Sequence, residues 1–305
     1  MNLMDLAQNF STEEAAIKFL ESKLWPDGPV CPHCGVVGEA FEMHSKKDSA
    51  NKMRPGLWKC SGCRKTFRVT VGTIFEDSHI PVHKWMMAIH LMCASKKGMS
   101  AHQLHRMLGV TYKSAWFMAH RIRHAMNDDA TQTKLGGTVE IDEMYVGGKV
   151  KGRGVKAAKD AKAPVVALVE RKGRVRSFHT ETVSVAELRP IIKEHLHGWS
   201  EVMTDDSSVY PFLLKNHAAS HDVVCHSKGQ YVRHDGARSI HTNTIEGYFS
   251  LFKRGVMGTF HHISKKHLHR YLDEFDFRYN ARQIADGERA ELALQGCRGK
   301  RLSYS

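Results

Sequence analysis

The clearest change of rhythm between apolar and polar positions along this chain falls near residue 130. Before it, outside residues 30–76, apolar residues recur at the three- and four-residue spacing of amphipathic helices. Ser11 or Thr12 stands as an N-cap ahead of Glu13 and Glu14, with Ala15, Ala16, Phe19 and Leu20 as an apolar face, and Pro26, Gly28 and Pro29 close the segment. Residues 30–76 hold short strand-like pieces, LWKC and TFRVTVGTIF. Pro81 opens a helix through HKWMMAIHLMCAS, since proline at a first helical position forfeits no hydrogen bond. Ser100 to Trp116 reads as a short helix, a Gly109–Val110 turn and a second helix capped at Thr111. Leu104, Leu108 and Val110, then Ala115, Met118 and Ile122, are its packing positions.

From Thr138 the apolar runs have strand length: TVEIDEMYVG, APVVALVE, RVRSFHTETV and SEVMTD, with a helix at about 184–196 between the third and fourth. Helical spacing returns over Thr244–Arg254 and in the last helix, where Leu268, Leu272, Phe275 and Tyr279 form a core stripe. The basic, glycine-containing stretch 147–162 is expected to be a mobile connection.

Composition narrows the picture. At 305 residues there is room for two domains, or for one large domain with an appendage. A net charge of +13 does nothing for a fold and points to a polyanionic partner, nucleic acid first. No stretch approaches the roughly 18 apolar residues of a membrane span, and the N-terminus lacks the basic-then-apolar order of a secretory signal, so a cytoplasmic protein is expected. Of seven cysteines, four form the pairs Cys31/Cys34 and Cys60/Cys63, separated by 25 residues. Two CxxC knuckles supply four thiolates at about 2.3 Å, the closed tetrahedral set of a structural zinc. The polar insertion SKKDSANKMRPG accounts for the long spacing by bulging outward; four incidental thiols are the plain alternative. Arg64, Lys65 and Arg68 beside the second knuckle offer a DNA or protein contact face.

If the two helices around Gly109 pack at a wide angle, the start of the second is free to enter a major groove. Tyr112, Lys113 and Trp116 then face DNA, and Arg121, Arg123 and His124 neutralise phosphates. An ordinary helical hairpin has the same spacing.

Three acids stand out by context. Asp142 and Asp205 lie where apolar runs end, and Glu246 lies early in a helix. Lys253 follows Glu246 by seven residues, about 10.5 Å along the helix and about 20° short of two turns, so the two share a face. Strand alternation sets Glu140 on the face of Asp142, and Asp206 is expected as a helix cap. Singly, such residues are strand-end caps and solvated stripes. Together, distant carboxylates gathered around divalent ions suit phosphodiester chemistry on DNA.

VEIDEMYVGGK, the TD segment followed by Tyr210, and the block from His241 to Arg282 resemble the DDE transposases of bacterial insertion sequences, in the ISXO-type group with an N-terminal zinc ribbon. The resemblance covers nearly the whole chain. It implies an α/β class: an RNase H-like catalytic domain, a mixed sheet flanked by helices, preceded by a small zinc ribbon and a helix-turn-helix region. The corresponding divisions are an N-terminal helix (1–27), the ribbon (28–78), the helical DNA-binding region (79–134), the catalytic domain (135–290) and a basic tail (291–305).

It also implies Asp142, Asp205 and Glu246 as the triad for two catalytic Mg²⁺ or Mn²⁺ ions, with Lys253 as the basic residue that follows and a structural Zn²⁺ on the cysteines. Some relatives carry asparagine at the third position, which keeps Asn243 beside Glu246. Lys253, Arg254, Lys265, Lys266, His269 and Arg270 are expected along the DNA backbone.

The implied reaction is metal-dependent hydrolysis at element ends, then transfer of the 3′-OH into target DNA. The implied partners are double-stranded terminal repeats and target DNA, with a homodimer or larger assembly at synapsis and a cytoplasmic, nucleoid-associated location in a bacterium. A transcription regulator whose second domain only dimerises, and a two-metal nuclease without strand transfer, are the rival readings. His261 and His262 lack regular ligand spacing and read as DNA-facing or solvated.

Overall fold

The computed structural model describes residues 5, 8–45, 53–127, 133–147, 162–236 and 238–302. It divides into two compact units, one of residues 1–127 with 283–305 and one of residues 128–282. Most of the stretch expected to be a mobile connection, and the middle of the loop between the cysteine pairs, lie outside the described residues.

In the first unit, α1 (Glu13–Leu24) begins at Thr12, whose hydroxyl accepts the Ala15 N–H at 3.2 Å, and Glu13 and Glu14 sit at its positive end. Its buried stripe is Ala16, Ile17, Leu20 and Leu24; Ala15 and Phe19, expected at the centre of the face, are half-buried at its margin. Strands β1 (Ala40–Glu42), β2 (Trp58–Cys60) and β3 (Thr66–Phe67) form an antiparallel sheet in that order. Its small core is Cys31, Cys60 and Phe67, with Trp25 and Trp58 packed against them.

Helix α2 (Val82–Ala94) has Pro81 as its N-cap, one position earlier than expected. The Glu13 carboxylate accepts its first N–H groups, Val82 at 3.0 Å and His83 at 3.4 Å, which replaces the cap proline cannot provide. Helix α3 (Ala101–Leu108) opens with a reciprocal Ser100/Gln103 capping box and stops at Gly109, whose φ of +60° is left-handed. Helix α4 (Tyr112–Met126) starts at Thr111, whose hydroxyl accepts the Ser114 N–H.

The second unit runs β4 (Thr138–Val146), β5 (Ala163–Glu170), β6 (Val175–His179), α5 (Val185–His195), β7 (Glu201–Thr204), α6 (Val209–Leu214), β8 (Ser220–Val223), β9 (Val232–Asp235), β10 (Arg238–His241), α7 (Asn243–Gly255) and α8 (Leu268–Asn280). Five strands form a mixed sheet in the order β6-β5-β4-β7-β8: β4, β5 and β6 pair antiparallel, while β7 and β8 run parallel to β4.

Every residue of β5 except Glu170 is buried, as a continuous apolar run covered on both faces requires. One face, with Val139, Ile141, Val166 and Leu168, packs with residues of α5 and α6; the other, with Met144, Val165, Ala167 and Val169, packs with α7 and α8. This is the expected mixed sheet flanked by helices. β8, β9 and β10 were not predicted, because SHDV, VRHD and RSIH are too polar and too short to register as apolar runs. The strand predicted from RVRSFHTETV ends early, at His179.

The chain then returns to the first unit as α9 (Asp286–Gln295). This corrects the basic tail expected from residue 291. Ala290, Ala293, Leu294 and Cys297 are buried, Glu291 pairs with Lys23 at 2.6 Å, and Arg289 donates to the Cys93 carbonyl at 2.8 Å. The charges around it hid a stripe made largely of alanine.

Candidate functional site

β4 and β7 lie side by side in parallel, with Thr138 opposite Glu201 and Glu140 opposite Met203. Two residues beyond that last pair stand Asp142 and Asp205. β7 stops at Thr204, so Asp205 leaves the sheet at its carboxyl edge, where the Asp205 Oδ1 accepts the Ser207 N–H at 3.1 Å. Asp142, Glu143 and Asp205 each offer an oxygen, and these oxygens all lie within 4.8 Å of one another.

Neighbouring strand residues point to opposite faces, so Asp142 reaches this point from the α7 side and Glu143 from the α6 side. There the Tyr210 hydroxyl donates to Glu143 Oε2 and fixes it. Tyr210 itself is buried in the core that α6 shares with the sheet.

Among the described residues no basic side chain pairs with any of the three acids. Burial, then the negative charges of Asp205, Glu143 and Glu246, push Asp142 up to about 7. Burial also raises Glu143, with the charge of Asp205 adding to it, and raises Asp205, with the charge of Asp206 adding. Carboxylates crowded this way gain from a cation, and an all-oxygen donor set fits a hard ion such as Mg²⁺ or Mn²⁺.

Glu246 stands apart from that group. Its Oε1 accepts from the Thr242 hydroxyl at 3.4 Å and lies 3.6 Å from His226 Nε2, although its charge is felt at Asp142. The structure therefore draws Asp142, Asp205 and Glu143 together, with Glu246 beside them on the exposed first turn of α7. The cause is Glu140. Fully buried, it accepts from the Thr244 N–H at 2.8 Å, the Ile245 N–H at 3.0 Å and Arg171 Nε at 2.7 Å, so it caps α7 and pins that helix to β4. Arg171 in turn donates to the Ser239 and His241 carbonyls. Asn243, the first residue of α7, is exposed.

Asp206 does not cap α6; its N-cap is Ser208. The Asp206 Oδ2 accepts from Ser227 Oγ at 2.9 Å and Cys225 Sγ at 3.3 Å, and these bonds hold it below the usual carboxylate range. Of the two adjacent acids, only Asp205 joins the cluster. Glu143 escaped the sequence reading, although alternation plus a tyrosine five residues after Asp205 was the available signal.

Lys253 and Arg254 are exposed in the last turn of α7, and Lys265 and Lys266 are exposed in a single 3-10 turn before α8. In the first unit, Tyr112 and Lys113 are exposed at the start of α4, where Tyr112 stacks on His102 with ring centroids 4.4 Å apart. Trp116 is half-buried, its ring 4.2 Å from that of His120. Two expected phosphate contacts are corrected. Arg121 turns inward and donates to the Ile74 and Glu76 carbonyls at 2.9 Å, and Arg123 is only 2% exposed.

The four cysteines converge as their spacing predicts. Cys31 and Cys63 sulfurs are 3.6 Å apart, as are those of Cys34 and Cys60. Four ligands at about 2.3 Å from one tetrahedral ion would sit about 3.8 Å from each other, so the set fits zinc closely. Both knuckles close alike: the Gly35 N–H donates to the Cys31 carbonyl and the Arg64 N–H to the Cys60 carbonyl, with φ of +78° and +61°. Arginine holds in the second knuckle a left-handed position that glycine takes in the first.

Residues 134–280 match the family model of the ISXO2-like transposase domain, and residues 11–66 match that of a transposase zinc-ribbon domain. The second match begins two residues before α1, ahead of the boundary expected at residue 28. A protein of Halobacterium salinarum, described as an uncharacterized protein in transposable element ISH50, is 28% identical over 286 residues, which is 89% of this chain and 92% of that protein.

Proposed function

The chain belongs to the ISXO2-like insertion-sequence transposases, with a zinc ribbon at its N-terminal side, and from that premise we propose that it hydrolyses DNA at the ends of its element and transfers the freed 3′-OH into target DNA. The observation that carries the reading is the convergence of Asp142, Glu143 and Asp205 at one edge of the sheet. Bound to these oxygens, two Mg²⁺ or Mn²⁺ ions would activate the attacking water or 3′-OH and stabilise the departing oxygen.

The protein's own part is to hold the acids and the DNA. Asp142 and Asp205 contribute from adjacent strands, Tyr210 orients Glu143, and Glu246, on the exposed turn of α7, stands at the open side where a phosphodiester approaches. Lys253, Arg254, Lys265 and Lys266 track the phosphate backbone as point charges. Tyr112 and Lys113 at the start of α4 are the groove-reading positions of a helix-turn-helix. Two element ends must be held at once, which calls for a dimer or larger. Work on chromosomal DNA puts the protein in the cytoplasm, at the nucleoid. Among the described residues no helix is long and apolar enough to cross a membrane.

The test is incubation of labelled element-end duplex and target plasmid with Mg²⁺. Wild type is expected to nick the ends and join them to target. Asp142→Ala should abolish both, and Glu246→Gln should slow both by about a hundredfold, the scale of losing one group that stabilises charge in the transition state. Unchanged cleavage by Asp142→Ala refutes the site, unchanged cleavage by Glu246→Gln removes that residue from it, and cleavage without joining makes the protein a nuclease.

A further inference from the structure

The first unit contains a cavity of about 610 Å³ between the ribbon and the start of α2, lined by none of Asp142, Glu143, Asp205 and Glu246. Two arginines line it, Arg54 and Arg68. Arg68 is half-buried, its Nε is buried without a hydrogen-bond partner, and no acceptor among the described residues takes the rest of its guanidinium. Burial, with the charge of Arg54 adding to it, pulls Arg68 down from its ordinary value, while Glu13 and Glu21 act the other way.

Those acids are engaged elsewhere. Glu13 caps α2, and Glu21 accepts from Trp58 Nε1 at 2.7 Å. The other acids lining the cavity are also committed: Glu76 accepts the Gly72 N–H at 2.8 Å, and Asp77 pairs with Arg301 at 2.6 Å.

A buried donor left unmade costs about 1–3 kcal/mol, and more when the group is charged. Such a cost is recovered if an anion completes the site. Two guanidinium forks facing one space suit phosphate, which accepts two parallel N–H bonds from each. The volume is several times that of a phosphate, and Val71 and Ile80 give part of the wall an apolar character that suits a sugar and base. A phosphate carried on a nucleotide satisfies both halves.

We propose that this cavity receives one nucleotide of the bound DNA, its phosphate held by Arg68 and Arg54 and its base lodged against Val71 and Ile80. The proposal rests on DNA being the substrate, and it makes the ribbon and α2 a second anchor on the strand, independent of the acid cluster.

The experiment uses the zinc-loaded full chain and fluorescein-labelled element-end duplex, with anisotropy followed across a salt series. Arg68→Met and Arg54→Met should each weaken binding by about tenfold and lower the slope of log K against log salt by about 1, as loss of one phosphate contact requires. Val71→Trp, which fills the cavity without changing charge, should weaken binding and leave the slope unaltered. Arg68→Met should not lower Tm, because the guanidinium has no partner to lose; if Tm falls, exposed Arg54→Met carries the charge test alone.

Wild-type binding with no change in Arg54→Met, or with no change in Val71→Trp, overturns the cavity while leaving the transposase reading intact. Wild type that fails to bind DNA at all removes both.

Discussion

Glu140 and Asp142 stand two residues apart on one face of β4 and do different work. Asp142 faces its fellow acids with no basic partner, whereas Glu140 is saturated by Arg171 and by the first N–H groups of α7. Strand alternation made the shared face legible. It could not say which acid would be spent on structure, because that depends on where α7 begins, more than a hundred residues later. For the same reason Glu143 went unnoticed: its role appears only when Tyr210 arrives from α6.

Removing Glu140 leaves Arg171 without its ion-pair partner and α7 without its cap. Glu140→Ala should therefore destabilise the protein by about 3–5 kcal/mol in urea unfolding, the scale of breaking a buried pair. A loss under about 1 kcal/mol would show that α7 is held by packing alone.

At the scale of elements, strands with unbroken apolar runs and helices with side-chain caps were legible, and polar elements were not. Thr12, one of the two expected caps of α1, and Thr111 cap their helices as expected, and Ser100, for which no cap was expected, opens α3 with a capping box. The hairpin of β9 and β10 and the edge strand β8 carry no periodic apolar signal, since they pair through backbone with mostly polar side chains that are half-buried or exposed.

The joint between α7, α8 and β6 has a titratable group at its centre. Asp276 accepts the Ser177 N–H at 2.7 Å and the Ser177 hydroxyl at 2.8 Å, and Tyr248 also donates to it. Burial pushes it from 3.8 up to about 6. A carboxyl raised in the folded state holds its proton there more tightly than when unfolded. The stability that proton confers is present in full below 3.8 and is lost as pH rises through about 6.

Asp276→Asn stays neutral throughout. Its stability relative to wild type should therefore improve between pH 3.8 and about 6, by on the order of 2–3 kcal/mol, and level off above. Urea midpoints of both proteins across that range measure it; a constant difference would contradict the shift.

The whole molecule joins a small metal-stapled module to a conventional apolar sheet. The ribbon's buried core amounts to Cys31, Cys60 and Phe67, too little to hold it without the ion. Purified protein should contain one zinc per chain by mass spectrometry. Chelation should release it with loss of the ribbon's amide-exchange protection, while the strands of the second unit keep theirs. Protection unchanged after zinc removal would make the four thiols incidental.

The cysteine pairs were readable because ligand spacing is local, and the acid cluster only in outline, because it is assembled by the pairing of β4 with β7. The most direct test of that assembly is Mn²⁺ binding to the zinc-loaded full chain, followed by electron paramagnetic resonance. Wild type should take up the ion, Asp142→Ala and Asp205→Ala should lose it, and Glu143→Gln should weaken it. Equal Mn²⁺ binding by all four proteins would contradict the claim that these oxygens form the metal centre.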